Sequence, residues 1–436
     1  MVIFRSKTGI VTCAALLISA FFFPAFAGSG ADWFSREYLT GNWFGLRDKM
    51  AESGMTFTSS YVVDLLANPV GGQRKNRFRY DSSLGLDLNT DLGKLLGLEG
   101  WQFRVSGVYR QGRSLSRDIG NRFVVSSIYG SQQWRLYNLY IDKMLMDGRL
   151  DLRFGRLGAG DDFASSPLYW NFVSNSIDGN PISIPINIPF TAYPTATWAF
   201  LAKYKITNEI LSKTGIYNGD DMVGNNKYHG TDFTFGSNKG VLIAQEFSYL
   251  LNQAADSRGL PGNYKIAGIY DTGKFNDLYK DDAGNSAVLT GGSWRQHHGT
   301  YAFYAHADQM VYREGGPGSK QGLTIFSVVT LAPENVNEFP FFIDGGACYT
   351  GLIPKRDTDI ASMGFAYGQW SKSMARSDNN SGTDPRKFEV MMELNYKYML
   401  TPYFYLQPDV QYIWNPGGRK NIDDALVVGT RVGVIF

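Results

Sequence analysis

The chain is short of cysteine, of charge and of long apolar runs, and each shortage removes a class of protein. Only Cys13 and Cys348 occur among 436 residues. Cys13 sits in an apolar N-terminal stretch, so no disulfide framework is available. Charged residues make up 19% of the chain, below the roughly 25% of ordinary soluble domains. The longest apolar stretch, Ile10 to Phe23, is about 14 residues, whereas a membrane-spanning helix needs about 20. A mean hydropathy of −0.22 likewise excludes a bundle of transmembrane helices. There is no internal repeat, no low-complexity linker, and beyond Gly54 no apolar period of 3.6 that lasts more than two turns. That argues against a helical fold. With 42 basic and 40 acidic residues, nothing marks a nucleic acid or other polyanion as a partner.

What the chain has in quantity is aromatic residues and glycine: 26 Tyr, 29 Phe, 9 Trp and 49 Gly. That composition favours strands joined by turns. The first 27 residues read as a signal peptide. Arg5 and Lys7 form a basic start, Ile10 to Phe23 the apolar core, and Ala25-Phe26-Ala27 the cleavage site. Its removal leaves 40 basic against 40 acidic residues, a neutral exported chain with one cysteine, Cys348. Residues 28–54 form an N-terminal segment with a short helix from Trp43 to about Ser53, which Asn42 is placed to cap and Gly54 to end. Residues 55–436 follow as one β domain.

Period-two alternation dominates that domain. Phe388, Val390, Met392, Leu394 and Tyr396 share one face of a segment whose other face carries Glu389, Glu393, Asn395 and Lys397. Leu426, Val428, Val432 and Val434 likewise oppose Gly429, Arg431 and Gly433, and Trp101, Phe103, Val105 and Tyr109 oppose Gln102, Arg104, Ser106 and Arg110. The charges recur on strand after strand while the other face is apolar and ends in aromatics, as in a lipid-facing band around a polar lumen. About sixteen segments can be counted, starting near residues 56, 79, 100, 134, 149, 197, 210, 240, 263, 299, 322, 340, 359, 387, 402 and 425. Their connections alternate between long (112–133, 157–196, 218–238, 274–297) and short (144–148, 206–209, 400–401). The expected fold is therefore all-β: a transmembrane antiparallel β-barrel of about sixteen strands with a short N-terminal helix. A sheet in lipid must close because a free edge finds no water, and sixteen strands enclose an aqueous channel.

Several stretches, in order, resemble the carbohydrate-selective porin family of the OprB type. They are GNWFGLRDKMAESGMTF (Gly41 to Phe57), LRFGRLGAGDDFASSPLYWNF (Leu152 to Phe172), GIYNGD (Gly215 to Asp220), YKIAGIYDTGKF (Tyr264 to Phe275), GTYAFYAHADQMVYRE (Gly299 to Glu314) and the C-terminal LNYKYMLTPYFYLQPDVQYIWNPGG and ALVVGTRVGVIF. The resemblance implies an outer-membrane channel of a Gram-negative bacterium whose outer loops fold inward. Its cargo would be monosaccharides such as glucose, passing passively into the periplasm. Partners are then small sugars, outer-membrane lipid and at most further copies of the chain; no cofactor and no metal are called for. The alternative within the class is a general porin or one specific for another solute.

Two groups of residues are candidates for the channel. The inward-parity charges Arg104, Asp151, Arg153, Glu389, Glu393, Lys397, Asp409 and Arg431 can replace a sugar's hydration with charge-assisted hydrogen bonds, unless they merely pair with one another. In the 157–196 connection, Asp161, Asp162, Tyr169, Trp170, Asn171 and Phe172 offer rings for a sugar's C–H face and acceptors for its hydroxyls. A structureless loop of that length is usually functional; it either folds in as a constriction or caps the mouth with its aromatics on the wall. His229, His297, His298 and His306 lack metal-ligand spacing and read as solvated loop residues. GGPGSK (Gly315 to Lys320) lacks phosphate-loop spacing and reads as a turn. A barrel enzyme would need Ser and His within hydrogen-bond reach. There is no G-x-S-x-G motif, and no serine lies in 300–312 around His306.

Overall fold

The computed structural model describes residues 30–130, 132–219, 223–236, 240–254 and 256–436. The signal-peptide reading of 1–27 and Asp220 of the GIYNGD stretch lie outside them. The alternating segments form β1 (Met55–Val70), β2 (Arg77–Asp91), β3 (Trp101–Gly112), β4 (Trp134–Leu145), β5 (Leu150–Leu157), β6 (Thr197–Lys205), β7 (Ile210–Asn218) and β8 (Val241–Leu251). They continue as β9 (Gly262–Asp281), β10 (Trp294–Arg313), β11 (Gly322–Leu331), β12 (Phe341–Thr350), β13 (Ile360–Gln369), β14 (Phe388–Thr401), β15 (Phe404–Trp414) and β16 (Ala425–Ile435). Each pairs antiparallel with its neighbours in sequence, and β1 pairs with β16 to close the barrel, with Asp64 opposite Arg431. No backbone edge is left to meet lipid.

Side-chain parity follows the alternation. Leu394 is 60% exposed on the outside, while Glu393 is 1% exposed on the inside. Ile266, Phe303, Met363 and Val410 are among the apolar side chains on the same outer surface, as a lipid-facing band requires. The β9–β10 hairpin departs from expectation. Its strands are 20 residues each, about twice the 9–11 needed to cross the hydrocarbon. Half of the expected connection 274–297 is therefore strand, and only 282–293 joins the two. His297, His298 and His306 lie on β10 rather than in a loop.

At the N-terminus the α-helix begins later than expected, at Leu46–Glu52, after a 3-10 turn Trp43–Gly45. Trp43 and Phe44 have positive φ, which no α-helix accommodates. The Asn42 side chain makes no bond to the 3-10 turn itself; its carbonyl accepts from the N–H groups of Gly45 and Arg47, and its Oδ1 accepts from the Asp48 N–H, in the first turn of the helix, at 3.2 Å. Gly54, at φ +89°, ends the segment in the left-handed region open to glycine. This segment lies across the short-turn end of the barrel. Leu39 donates to the Ile435 carbonyl, Arg47 donates to the Phe436 carbonyl at 3.0 Å, and the Tyr403 hydroxyl donates to the Trp33 carbonyl at 3.1 Å.

Candidate channel constriction

Two long connections enter the barrel: 113–133 after β3 and 158–196 after β5. The second lies along the inner wall. Phe163, Ile184, Ile188 and Phe190 pack on Leu201, Leu242, Ala244, Ile269, Ala302 and Val328. Phe172, Val173 and Ile177 pack on Phe326, Phe342 and Met391. These strands thus bury apolar residues inside as well as outside. Glycines make room for the contact. A Cβ at Gly364 would stand 2.6 Å from Ile177 Cδ1 and 2.7 Å from the Phe172 ring, and one at Gly215 would stand 2.7 Å from the Phe163 ring.

Polar anchors fix both loops. Glu389, on β14, accepts the N–H groups of Arg122 at 2.9 Å, Phe123 at 2.6 Å and Gly417 at 2.5 Å. Glu393 accepts those of Val173 at 2.7 Å and Ser174 at 3.0 Å. Gln407 donates to the Asn171 carbonyl and Gln411 to the Val125 carbonyl, both at 2.9 Å. Arg431 forks onto Asp64 at 2.7 and 2.9 Å, reaches Asp178 at 3.0 Å and Ser127 Oγ at 2.8 Å, and donates to the Phe172 carbonyl at 2.9 Å. Further round, the Tyr169 hydroxyl meets His306 Nδ1 at 2.9 Å, and Asp308 takes His306 Nε2 at 2.6 Å and Ser166 Oγ at 2.9 Å. His306 is buried in this network, not solvated. His297 meets Asp277 at 2.9 Å.

A cavity of about 1440 Å³ lies open against β1–β6 and parts of β14–β16. On its wall Arg104 holds Asp87 at 2.8 Å. Arg153 bridges Asp151 at 3.0 Å and Asp162 at 3.3 Å, and Lys203 also pairs with Asp162. Asp161 accepts from the Tyr137 hydroxyl at 2.5 Å and from Asn138 at 2.9 Å. Burial keeps both Asp161 and Asp178 above the usual carboxylate range, against the pull of these donors and, for Asp178, of Arg431.

The candidate residues therefore divide. Arg104, Arg153, Lys397, Asp161, Asp162 and Trp170 line the cavity, with Trp170 59% exposed. Asp151 is covered and braces Arg153. Glu389, Glu393 and Asp409 have the expected inward parity but lie beneath the loops, and Arg431 touches the cavity only at its edge with every nitrogen engaged. Tyr169, Asn171 and Phe172 face the wall, not the channel; Asn171 sits 3.8 Å from the Cys348 sulfur. The physical reason is common to all of them. Parity says which side chains point inward, whereas the returning loops decide which of those still meet water. The sequence reading also passed over Asp64, Asp87, Tyr193, Lys203 and the 113–133 loop, although the apolar inner face of β6–β13 was a readable sign that something covers it.

Residues 75–436 match the family model described as "Carbohydrate-selective porin, OprB family". The chain belongs to this family. It is 28% identical to Porin B of Pseudomonas aeruginosa over 92% of its own length and 91% of that protein. It is 26% identical to the putative porin QuiX of Acinetobacter baylyi over 92% and 93%. The high-pH structure of Pseudomonas putida OprB superposes with a TM-score of 0.87 at 28% identity, over 92% of this chain and 99% of that one. The channel DcaP of Acinetobacter baumannii shares the fold at a TM-score of 0.50 and 11% identity. This OprB-family barrel is accordingly an outer-membrane porin and not an enzyme.

Proposed function

We propose that this porin passes monosaccharides of the size of glucose, passively, into the periplasm of a Gram-negative cell. Residues 1–27 would serve as the cleaved leader and 55–436 as the one folded domain, with the short-turn end and residues 30–54 facing the periplasm. The observation that carries the reading is the cavity wall itself, where an exposed indole, Trp170, stands among side chains that are charged but paired, Arg104 with Asp87 and Arg153 with Asp162. A sugar ring has an apolar C–H face that fits the indole and a rim of hydroxyls that both members of an ion pair can bond. Each such bond nets only about 0.5–3 kcal/mol after water is displaced. That suits conduction, which needs entry without trapping. Proteoliposome swelling tests the proposal. Glucose should enter faster than a zwitterionic amino acid of similar size; equal rates would make this a general porin.

A further inference from the structure

Seven basic side chains line the cavity, and five of them hold a carboxylate: Arg104, Arg122, Arg153, Lys203 and Arg431. Arg110 and Lys397 do not. Among the described residues no acid lies within ion-pair distance of either. Arg110 comes from β3, is 3% exposed, and its Nε is covered with no acceptor. Its guanidinium rests 4.8 Å from the centre of the Tyr193 ring, a loop residue that also lines the cavity. Of the carboxylates near it, Asp64 and Asp178 are already taken by Arg431, and Asp81, 3% exposed, stands beyond ion-pair distance. Lys397 stands over the Tyr405 ring at 4.5 Å, and its one hydrogen bond is a long 3.5 Å contact to the Trp170 carbonyl. Around this part of the wall stand three cations, Arg110, Arg431 and Lys397, and three carboxylates, of which Asp64 and Asp178 are held by Arg431 and Asp81 is buried away from the cavity.

We infer that the unpartnered Arg110, stacked on Tyr193 and seconded by Lys397, is a carboxylate subsite, and that the channel takes sugar acids in preference to neutral sugars of the same size. A guanidinium resting over a ring still presents its planar fork of N–H donors, which matches the two oxygens of a carboxylate. The Nε of Arg110 is covered without an acceptor, and none of the described residues accepts a hydrogen bond from this guanidinium. The hydroxyls of the same solute would meet Trp170 and the paired charges, so the inference rests on the sugar-channel reading and refines its substrate class to polyhydroxylated monocarboxylates.

The test uses the full chain in planar bilayers, with gluconate and glucose as blockers of the ion current. At about 0.1 M salt, where screening reaches about 10 Å, gluconate should halve the current at a roughly tenfold lower concentration than glucose. Arg110→Gln should bring the gluconate-to-glucose preference close to one, Lys397→Gln should lower it about two- to threefold, and Arg110→Lys, which keeps the charge but not the fork, should fall between. Glucose block retained by Arg110→Gln reports an intact, open channel. Equal block by the two solutes in the unmodified protein, or a preference that survives Arg110→Gln, overturns the subsite and leaves the sugar channel standing. Loss of block by glucose and gluconate alike in the unmodified protein would overturn both.

Discussion

The two halves of the inner wall are built on opposite principles. Along β1–β5 many inward side chains are charged and several are paired and open to the cavity, as at Asp87, Arg104 and Arg153. On β7–β13 and over much of β14–β16 the inward side chains are covered by returning loops, with apolar packing at Leu242, Ile269 and Val328 and buried anchors at Glu389, Glu393 and Arg431. Charge therefore does two jobs in one lumen. Where water reaches it, a pair costs little and contributes little; where loops exclude water, a charge must be completely bonded or it destabilises the fold. The polar half handles solute and the dry half decides how narrow the polar half is.

The sharpest way to break that division is Arg431→Ala. It strands Asp64 and Asp178, which are 0% and 3% exposed, and should cost about 3–5 kcal/mol. Urea titration of the barrel in lipid vesicles measures this, and single-channel conductance should rise as the 113–133 and 158–196 loops come loose. Phe326→Ala comes next. Its ring meets Tyr169 and Phe172 edge-on at 5.5 Å, and the hole should cost about 3 kcal/mol with a smaller gain in conductance. Arg104→Ala is the control on the wet wall. Its side chain and that of Asp87 are 40% and 24% exposed, so stability should move by less than about 1 kcal/mol, while glucose block of the current weakens several-fold. If Arg104→Ala proves as costly to the fold as Arg431→Ala, the contrast between the halves is wrong.

The barrel was legible in the sequence because its rule is local. Alternation on each strand fixes its two faces, and the observed strands start within a few residues of where the periodicity puts them, except β10, whose start at Trp294 lies inside what looked like a loop. The site was legible only in part because burial inside a barrel is not local. Nothing near Glu393 announces that the N–H groups of Val173 and Ser174 will arrive from 220 and 219 residues away, nor that Asn395 will donate to Glu393 at 2.7 Å. Trp170 and Tyr169 are neighbours of like composition, yet one is 59% and the other 0% exposed. That depends on which way a 3-10 turn, Tyr169–Asn171, faces the wall.

The anchors also set an order in time. The 113–133 and 158–196 loops emerge early in the chain, but many of the groups that hold them come much later, Asp308 on β10 and Glu389, Glu393, Gln407, Gln411 and Arg431 on β14, β15 and β16. The pairing of Arg431 with Asp64 spans 367 residues and joins the last strand to the first. Until β16 closes against β1, Asp64 has no guanidinium, the loops lack their full set of partners, and the apolar inner wall has no settled cover. The narrow passage is thus complete only once the barrel is sealed, because Arg431 takes part in both. A chain stopped short of Ala425 would lack both the strand that joins β15 to β1 and the guanidinium that holds Asp64 and Asp178.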